Sequence, residues 1–289
     1  MKKIISLTLL LCMVLTLAAC GKVEITMQEI YDAVQTKTFL ENHQSVFIQD
    51  ELDGEILNER YLTKDYAYDY VPDTEFDWAE FMTDDACYSY IGGDYVRYLP
   101  ITPDGVNDGF ANYRAEHYAS VLLAEDTLSE TIESVSKKDG RIAVTTVMGQ
   151  ESLEVMAEYG VTAGKFEYVL DAQTREMISL TGDYTYDDGS VHHMASELSY
   201  DTEAPELLKI FLEYENQTEN LRKITVVSNP GTEKEVSQSV QVPKGLIIGL
   251  RYDEEEYVFE VYTDAACTES YDPYADTDSD LTIYVKWAE

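Results

Sequence analysis

Cationic side chains are scarce in this sequence. Its 289 residues hold 20 Lys and Arg against 56 Asp and Glu, a formal charge of −36. A surface that acidic repels phosphate backbones and anionic headgroups, which excludes nucleic acid as a partner. The plainest use of such charge is solubility outside the cell, with loose recruitment of calcium or a basic partner as the sharper alternative. Cysteine is also sparse. Cys12, Cys20, Cys87 and Cys267 are too few and too far apart for a disulfide-stapled scaffold, and Cys87 and Cys267 read as unpaired. Only four histidines occur (His43, His117, His192, His193) and there is no Gly-x-Ser-x-Gly elbow, so nucleophilic catalysis finds little to work with. Beyond residue 19 no apolar run approaches the roughly 20 residues needed to cross a bilayer.

The one long apolar run is at the start. Met1-Lys2-Lys3 is a cationic leader head, and Ile4 to Ala19 is apolar except at Ser6, Thr8 and Thr16. It ends in Leu17-Ala18-Ala19-Cys20-Gly21, which resembles a bacterial lipobox. The resemblance implies cleavage before Cys20 and diacylglycerol on its thiol. Small residues at 18 and 19 suit a peptidase that approaches the backbone closely. A two-chain anchor at about 0.8 kcal/mol per buried methylene is a stable one. Residues 1–19 are thus expected to be a lipoprotein signal peptide and 20–25 a lipidated tether. The rest would be extracytoplasmic, on the bacterial cell membrane. Loss of Lys2 and Lys3 takes the charge to −38, from 18 basic and 56 acidic residues.

Helix signals are few. Thr26-Met27-Gln28-Glu29 is a capping box with Ile25 and Ile30 placed as a hydrophobic staple, predicting a helix over about 27–40. A second is expected near 108–123, with Phe110, Tyr113, His117, Val121 and Leu122 inward, and a third over 151–158, stopped by Gly160. Pro205 opens a fourth, with Leu208, Phe211 and Leu212 inward. Hairpin turns dominate the remainder: Asp53-Gly54, Gly92-Gly93, Asp139-Gly140 and Asp188-Gly189 sit between alternating segments. Phe166, Tyr168 and Leu170 alternate up to Asp171, and Met177 begins a return strand.

The expected class is therefore α+β, a helix-backed antiparallel sheet over 26–220. A long antiparallel sheet behind a lipid-bearing cysteine, with helices on one face, resembles the lipoprotein-carrier (Lol-type) open half-barrel. That resemblance implies an apolar ligand in a concave face. The tyrosine-rich strands are more polar than a lipid-lined cavity, which turns the expectation toward a carbohydrate-like ligand as well.

From Arg222 onward the text changes. Ile224-Thr225-Val226-Val227, the turn Asn229-Pro230-Gly231-Thr232, Val236, Val240 and Val242 are followed by Val261-Tyr262-Thr263-Asp264-Ala265-Ala266-Cys267-Thr268 and Leu281-Thr282-Ile283-Tyr284-Val285-Lys286-Trp287. Residues 222–289 resemble a single internalin-type B-repeat, a small β-grasp-like module. The departure is Glu260-Val261, where that family usually has Gly-Trp, so one core indole is missing. The resemblance implies presentation or contact with a cell-surface protein, without chemistry.

Other constellations are weaker. His192 and His193 are adjacent on a strand and point to opposite faces, so they do not converge on a metal. Asp276-x-Asp278-x-Asp280 starts like a calcium loop, but Leu281 and Trp287 stand where glycine and glutamate belong; weak surface calcium is the most it offers. Cys87 is expected to have a raised pKa beside Asp84 and Asp85. Tyrosine is the abundant aromatic, 23 against 8 Phe and 2 Trp, and Tyr66, Tyr68 and Tyr70 share a strand face. Strand propensity explains most of them. The functional reading makes Tyr66, Tyr68, Tyr70, Tyr88 and Tyr90 a recognition face, because tyrosine offers rigid area and a polar tip. The function expected is a membrane-anchored binding protein, not an enzyme, without cofactor or metal. A spacer or adhesive protein is the alternative.

Overall fold

The computed structural model describes residues 24–72, 77–106, 110, 129–251 and 259–287. The proposed leader, Cys20 and the helix expected near 108–123, apart from Phe110, lie outside the described residues. The chain packs as two compact units, one from Met1–Ala33 with Glu125–Val191, the other from Val34–Ala124 with His192–Glu289. These units are cut differently from the expected 26–220 and 222–289. Among the described residues no helix is long and apolar enough to cross a membrane.

In the first unit, helix α1 (Met27–Ala33) opens on the capping box read from the sequence. Thr26 N–H donates to Glu29 Oε2 at 2.8 Å, and Glu29 N–H donates back to Thr26 Oγ1 at 3.2 Å. The helix does not run on to 40. It breaks before α2 (Thr36–Asn42), which belongs to the second unit. The apolar stripe fits the break: Ile30, Ala33 and Val34 share one face, whereas Phe39 would fall on the opposite side of a continued helix and is nevertheless buried. Strands β8 (Thr131–Lys138), β9 (Arg141–Val147), β10 (Val161–Asp171) and β11 (Met177–Tyr186) form an antiparallel run in that order. Asp139 and Gly140 both adopt left-handed backbone in the β8–β9 turn, as a two-residue hairpin requires. Helix α3 (Gln150–Met156) and a 3-10 turn precede β10, and Gly160 (φ 82°) ends them as expected.

The second unit holds most of the strands. β1 (Ser45–Leu52), β2 (Glu55–Thr63), β3 (Ala67–Val71), β4 (Trp78–Met82), β5 (Cys87–Ile91) and β6 (Asp94–Thr102) pair each with the next, all antiparallel. β12 (Val191–Tyr200) pairs with β1, and the short β7 (Gly105–Val106) folds back on β6. Helix α4 (Glu206–Glu215) starts behind Pro205 and buries Leu208 and Phe211. A four-stranded sheet follows in the order β14 (Val236–Pro243), β13 (Leu221–Ser228), β17 (Leu281–Trp287), β16 (Phe259–Tyr262), with β13 and β17 parallel.

One strand crosses between these sheets. β15 (Ile247–Arg251) leaves the C-terminal segment and pairs in parallel with β6, Gly249 opposite Tyr98. Leu99 and Ile101 of β6 share a core with Ile224, Val226, Val242, Ile283, Val285 and Trp287. The segment after 221 is therefore packed into the same unit. Where the expected indole is missing at Val261, Phe259 lies 5.3 Å from the Trp287 ring, and Trp287 Nε1 donates to Ser228 Oγ at 3.3 Å.

The joint is tight at one atom. A Cβ on Gly249 would stand 2.6 Å from two ring carbons of Tyr98. Gly249→Ala should therefore destabilise the chain by about 1–3 kcal/mol, read as a lower urea midpoint. In a Tyr98→Ala background most of the penalty should disappear, leaving the milder 3.2 Å approach to Val96 Cγ1. A full penalty in both backgrounds would place the strain elsewhere.

Candidate functional site

The tyrosine face is present, and the chain's own helix occupies its middle. Alternation places Tyr68 of β3, Phe81 of β4 and Tyr88 of β5 on one side of the sheet, each with under a fiftieth of its surface exposed. Phe211 of α4 sits among them, its ring centroid 6.3 Å from Tyr68, 5.8 Å from Phe81, 6.2 Å from Tyr88 and 5.9 Å from Tyr95. Burial pushes the Tyr68 and Tyr88 phenols far above their ordinary range. The Tyr88 hydroxyl donates to Glu215 Oε2 at 2.7 Å and accepts from Arg97 Nη1 at 3.0 Å, so its polar tip is used inside the fold. Tyr70 and Tyr90 are half-buried at the margin of this cluster. Of the five tyrosines, Tyr66 is the one that lines the cleft found among the described residues.

That site is a cleft of about 490 Å³ lined by His43, Ser45, Tyr61, Thr63, Lys64 and Tyr66, with Gln44, Asp65, Asp201 and Thr202 completing it. It forms where the end of β2, the start of β1 and the residues after β12 meet. The wall is held by Asp201, whose backbone is left-handed (φ 53°). Its carboxylate accepts from Gln44 N–H at 2.7 Å and lies 2.9 Å from His43 Nδ1. A carboxylate only accepts, so Nδ1 carries the proton in this pair. His43 in turn stacks on Tyr200 at 4.3 Å. The opposite wall is pinned by the Tyr61 hydroxyl, which donates to Thr202 O at 2.9 Å. Tyr66 lies parallel to Tyr61 at 6.4 Å and packs on Phe81 at 5.4 Å, so the ring is fixed while Lys64 and Asp65 flank it. Burial raises the Tyr66 phenol, which therefore stays protonated and able to donate. The volume suits a small ligand, and the lining offers hydroxyl, ammonium, carboxylate and amide groups around one aromatic body.

The turn that presents Tyr66 occurs twice. Thr63 Oγ1 accepts from Asp65 and Tyr66 N–H at 3.2 and 3.1 Å, and Thr83 Oγ1 accepts from Asp85 and Ala86 N–H at 3.2 and 2.9 Å. Both belong to the pattern Thr-x-Asp-x-x-Tyr-x-Tyr, running from Thr63 to Tyr70 and from Thr83 to Tyr90. That repeat was readable in the sequence, and it would have located the two turns. His43 and Asp201 carried no comparable signal, being 158 residues apart.

The remaining constellations are structural. His192 Nδ1 is 2.7 Å from Asp53 Oδ2, and His193 N–H donates to Asp53 Oδ1 at 2.8 Å, so both serve the β1–β2 turn. Asp276 accepts from Asp278 and Ser279 N–H, which lowers its carboxyl to about 2, while Asp280 accepts from Lys223 N–H. Among the described residues no group of three or more His, Cys, Asp or Glu is placed to hold a metal ion. Cys87 and Cys267 are free thiols. The Cys87 thiol is pushed up as expected, yet for a different reason: burial acts first, and Glu80 is the carboxylate beside it instead of Asp84 or Asp85.

No protein-family model matches the chain, and no curated protein does. Among solved structures, the lipoprotein LppX of Mycobacterium tuberculosis aligns at a TM-score of 0.38 and 8% identity, covering 62% of this chain and 96% of that one. MucB of Pseudomonas aeruginosa, solved with MucA, aligns at a TM-score of 0.26 and 11% identity, covering 63% of this chain and 60% of that one.

The Asp201 carboxyl is held below its ordinary value, first by His43 and then by Gln44 N–H. A depressed carboxyl adds stability above its unfolded pKa, near 3.9, and loses it as pH falls through the folded value. Asp201→Ala should thus melt below wild type at pH 7, and the gap should narrow below about pH 4. An equal gap at pH 7 and pH 3 would show that the wall is held by packing alone.

Proposed function

We propose that this chain is a non-catalytic lipoprotein, tethered through lipid on Cys20 to the outer face of a bacterial membrane, that binds a small carbohydrate-like ligand in the cleft beside Tyr66. One observation carries the choice of ligand. Phe211 and Leu208 fill the tyrosine face, so the apolar surface a lipid would need is spent inside the fold. The open site is instead lined by hydroxyl, amide and charged groups around a fixed ring. In this reading Tyr66 makes the ligand contact, Tyr70 and Tyr90 support the margin, and Tyr68 and Tyr88 hold the core. The lipobox pattern at Leu17–Gly21 supports the tether.

A second reading has its own support. The C-terminal sheet has the order second, first, fourth, third with its central pair parallel. That order is the one a β-grasp-like B-repeat would have, and it favours protein contact by 222–289, with or without a ligand in the cleft.

Calorimetry of the purified chain against hexoses, amino sugars and uronic acids tests the cleft. Saturable binding should fall at least tenfold in Tyr66→Ala, with the melting profile retained. Binding of fatty acids in place of sugars, or sugar binding untouched by Tyr66→Ala, would reject this site. For the tether, Cys20→Ser should leave the envelope fraction, and globomycin should accumulate the uncut precursor. Envelope retention of Cys20→Ser would remove the anchor from the account.

A further inference from the structure

Among the described residues, the free edges of the sheets differ in how they are protected. An edge strand presents unpaired N–H and C=O groups, and proteins usually blunt it by shortness, bulges or lysine. β8 is blunted twice, by a register shift between Ile132 and Ser134 and by Lys137 and Lys138 at its end. β16 has four residues and β15 five, with Ile247 and Ile248 buried.

β14 has none of these devices before its last residue. Val236–Pro243 pairs with β13 over eight residues in unbroken register. It has no ionisable side chain in a chain that is 26% charged. Ser237, Gln238, Ser239 and Gln241 are exposed, while Val240 and Val242 reach into the core. Gln238 Oε1 accepts from Val106 N–H, and Thr225 Oγ1 and Ser239 Oγ lie 2.9 Å apart, so the side chains on both faces are ordered. Only Pro243, at the end, lacks a donor.

We propose that β14 is a docking edge for an extended peptide segment of a partner protein, added antiparallel or parallel as a fifth strand. Main-chain hydrogen bonds would supply the affinity, and alternate side chains the selectivity. Next to Val240 and Val242 the added strand would place apolar residues, and next to Ser237, Ser239 and Gln241 hydroxyl or amide residues. Charge selects among the possible occupants. A second copy of this chain brings another −36, and an acidic segment meets the same field. The occupant is therefore a strand that is uncharged where it pairs and basic on its flanks. This inference rests on neither the cleft nor the lipid anchor.

Hydrogen–deuterium exchange of the full chain tests it, with a synthetic peptide of alternating valine and threonine carrying two lysines at each end. The peptide should slow exchange across 236–242, and the same peptide with glutamates at its ends should bind at least tenfold more weakly. Ser237→Lys with Gln241→Lys, both on exposed positions, should abolish protection while leaving the melt unchanged. No protection in the wild-type chain overturns the proposal, as does protection confined to β8 or to the cleft. Equal binding of the glutamate peptide overturns the basic partner. Protection of 236–242 without peptide, rising with protein concentration, would assign the edge to a second copy instead.

Discussion

Phe211 stands within 6.3 Å, centroid to centroid, of Tyr68, Phe81, Tyr88 and Tyr95. Each such ring pair adds about 0.5–1.5 kcal/mol beyond the area it buries, and burying the Phe211 side chain adds roughly 1.5–3 kcal/mol more. Those magnitudes make α4 a fixed cover of the sheet, unlike a lid that opens at thermal energies. The proposed binding site follows from the cover. With the apolar middle of the face closed, the proposed ligand would meet its rim, where Tyr66 and the turn at Thr63 are half-buried beside the exposed Lys64 and Asp65. The hydroxyl tips that made these tyrosines look like a recognition surface are used partly inward, as Tyr88 with Glu215 and Arg97 shows.

The second constraint is the register of β15. Parallel pairs are slightly weaker per residue than antiparallel ones, so β15 needs other restraints to sit where it does. Gly249 accepts the Tyr98 ring at a distance no Cβ would tolerate. Arg251 then reaches Glu80 at 2.7 Å, with Glu80 almost fully buried. A buried ion pair adds little net stability, because desolvation offsets the attraction, yet breaking it is costly. It therefore acts on specificity: a slip of one residue would lose the ring contact and take the guanidinium away from Glu80. Arg222 does similar work within the C-terminal sheet, giving its guanidinium to the carbonyls of Leu246 at 2.7 Å and Asp276 at 2.8 Å.

What could be read from the sequence was local. The capping box at Thr26, the stop at Gly160, the helix behind Pro205 and the Asp-Gly turns depend on neighbours within a few residues, and each formed as its chemistry dictates. The shared side of Tyr66, Tyr68 and Tyr70 was also legible, because a strand alternates with period two. What covers that side was not, since α4 arrives from more than a hundred residues away. The same distance hid the cleft, whose walls join residues 43 and 201, and the departure of β15 from the segment read as one module. Ile247–Arg251 carries a strand pattern that suits either sheet, and the fit of Gly249 on Tyr98 and the Arg251–Glu80 pair lie outside any local pattern.

Charge follows a related division between inside and outside. Arg60 pairs with Asp50, Arg97 with the Tyr88 ring and hydroxyl, Arg222 with carbonyls and Arg251 with Glu80, all in partly or fully buried settings. The planar guanidinium suits these roles because it is weakly hydrated and forms several directed bonds at once. Arg60 and Arg251 take the carboxylates of Asp50 and Glu80 inward with them, so the outer field keeps the sign and size that the net charge of −36 gives it. Such a field acts beyond any single contact: it repels anionic partners on approach and leaves neutral or basic ones to be sorted at short range. The proposed cleft beside Tyr66 and the proposed docking edge of β14 are where such short-range sorting would have ordered polar groups to work with. Selection by this molecule would therefore proceed in two steps, first by the sign of the partner's charge and then by hydrogen-bond geometry.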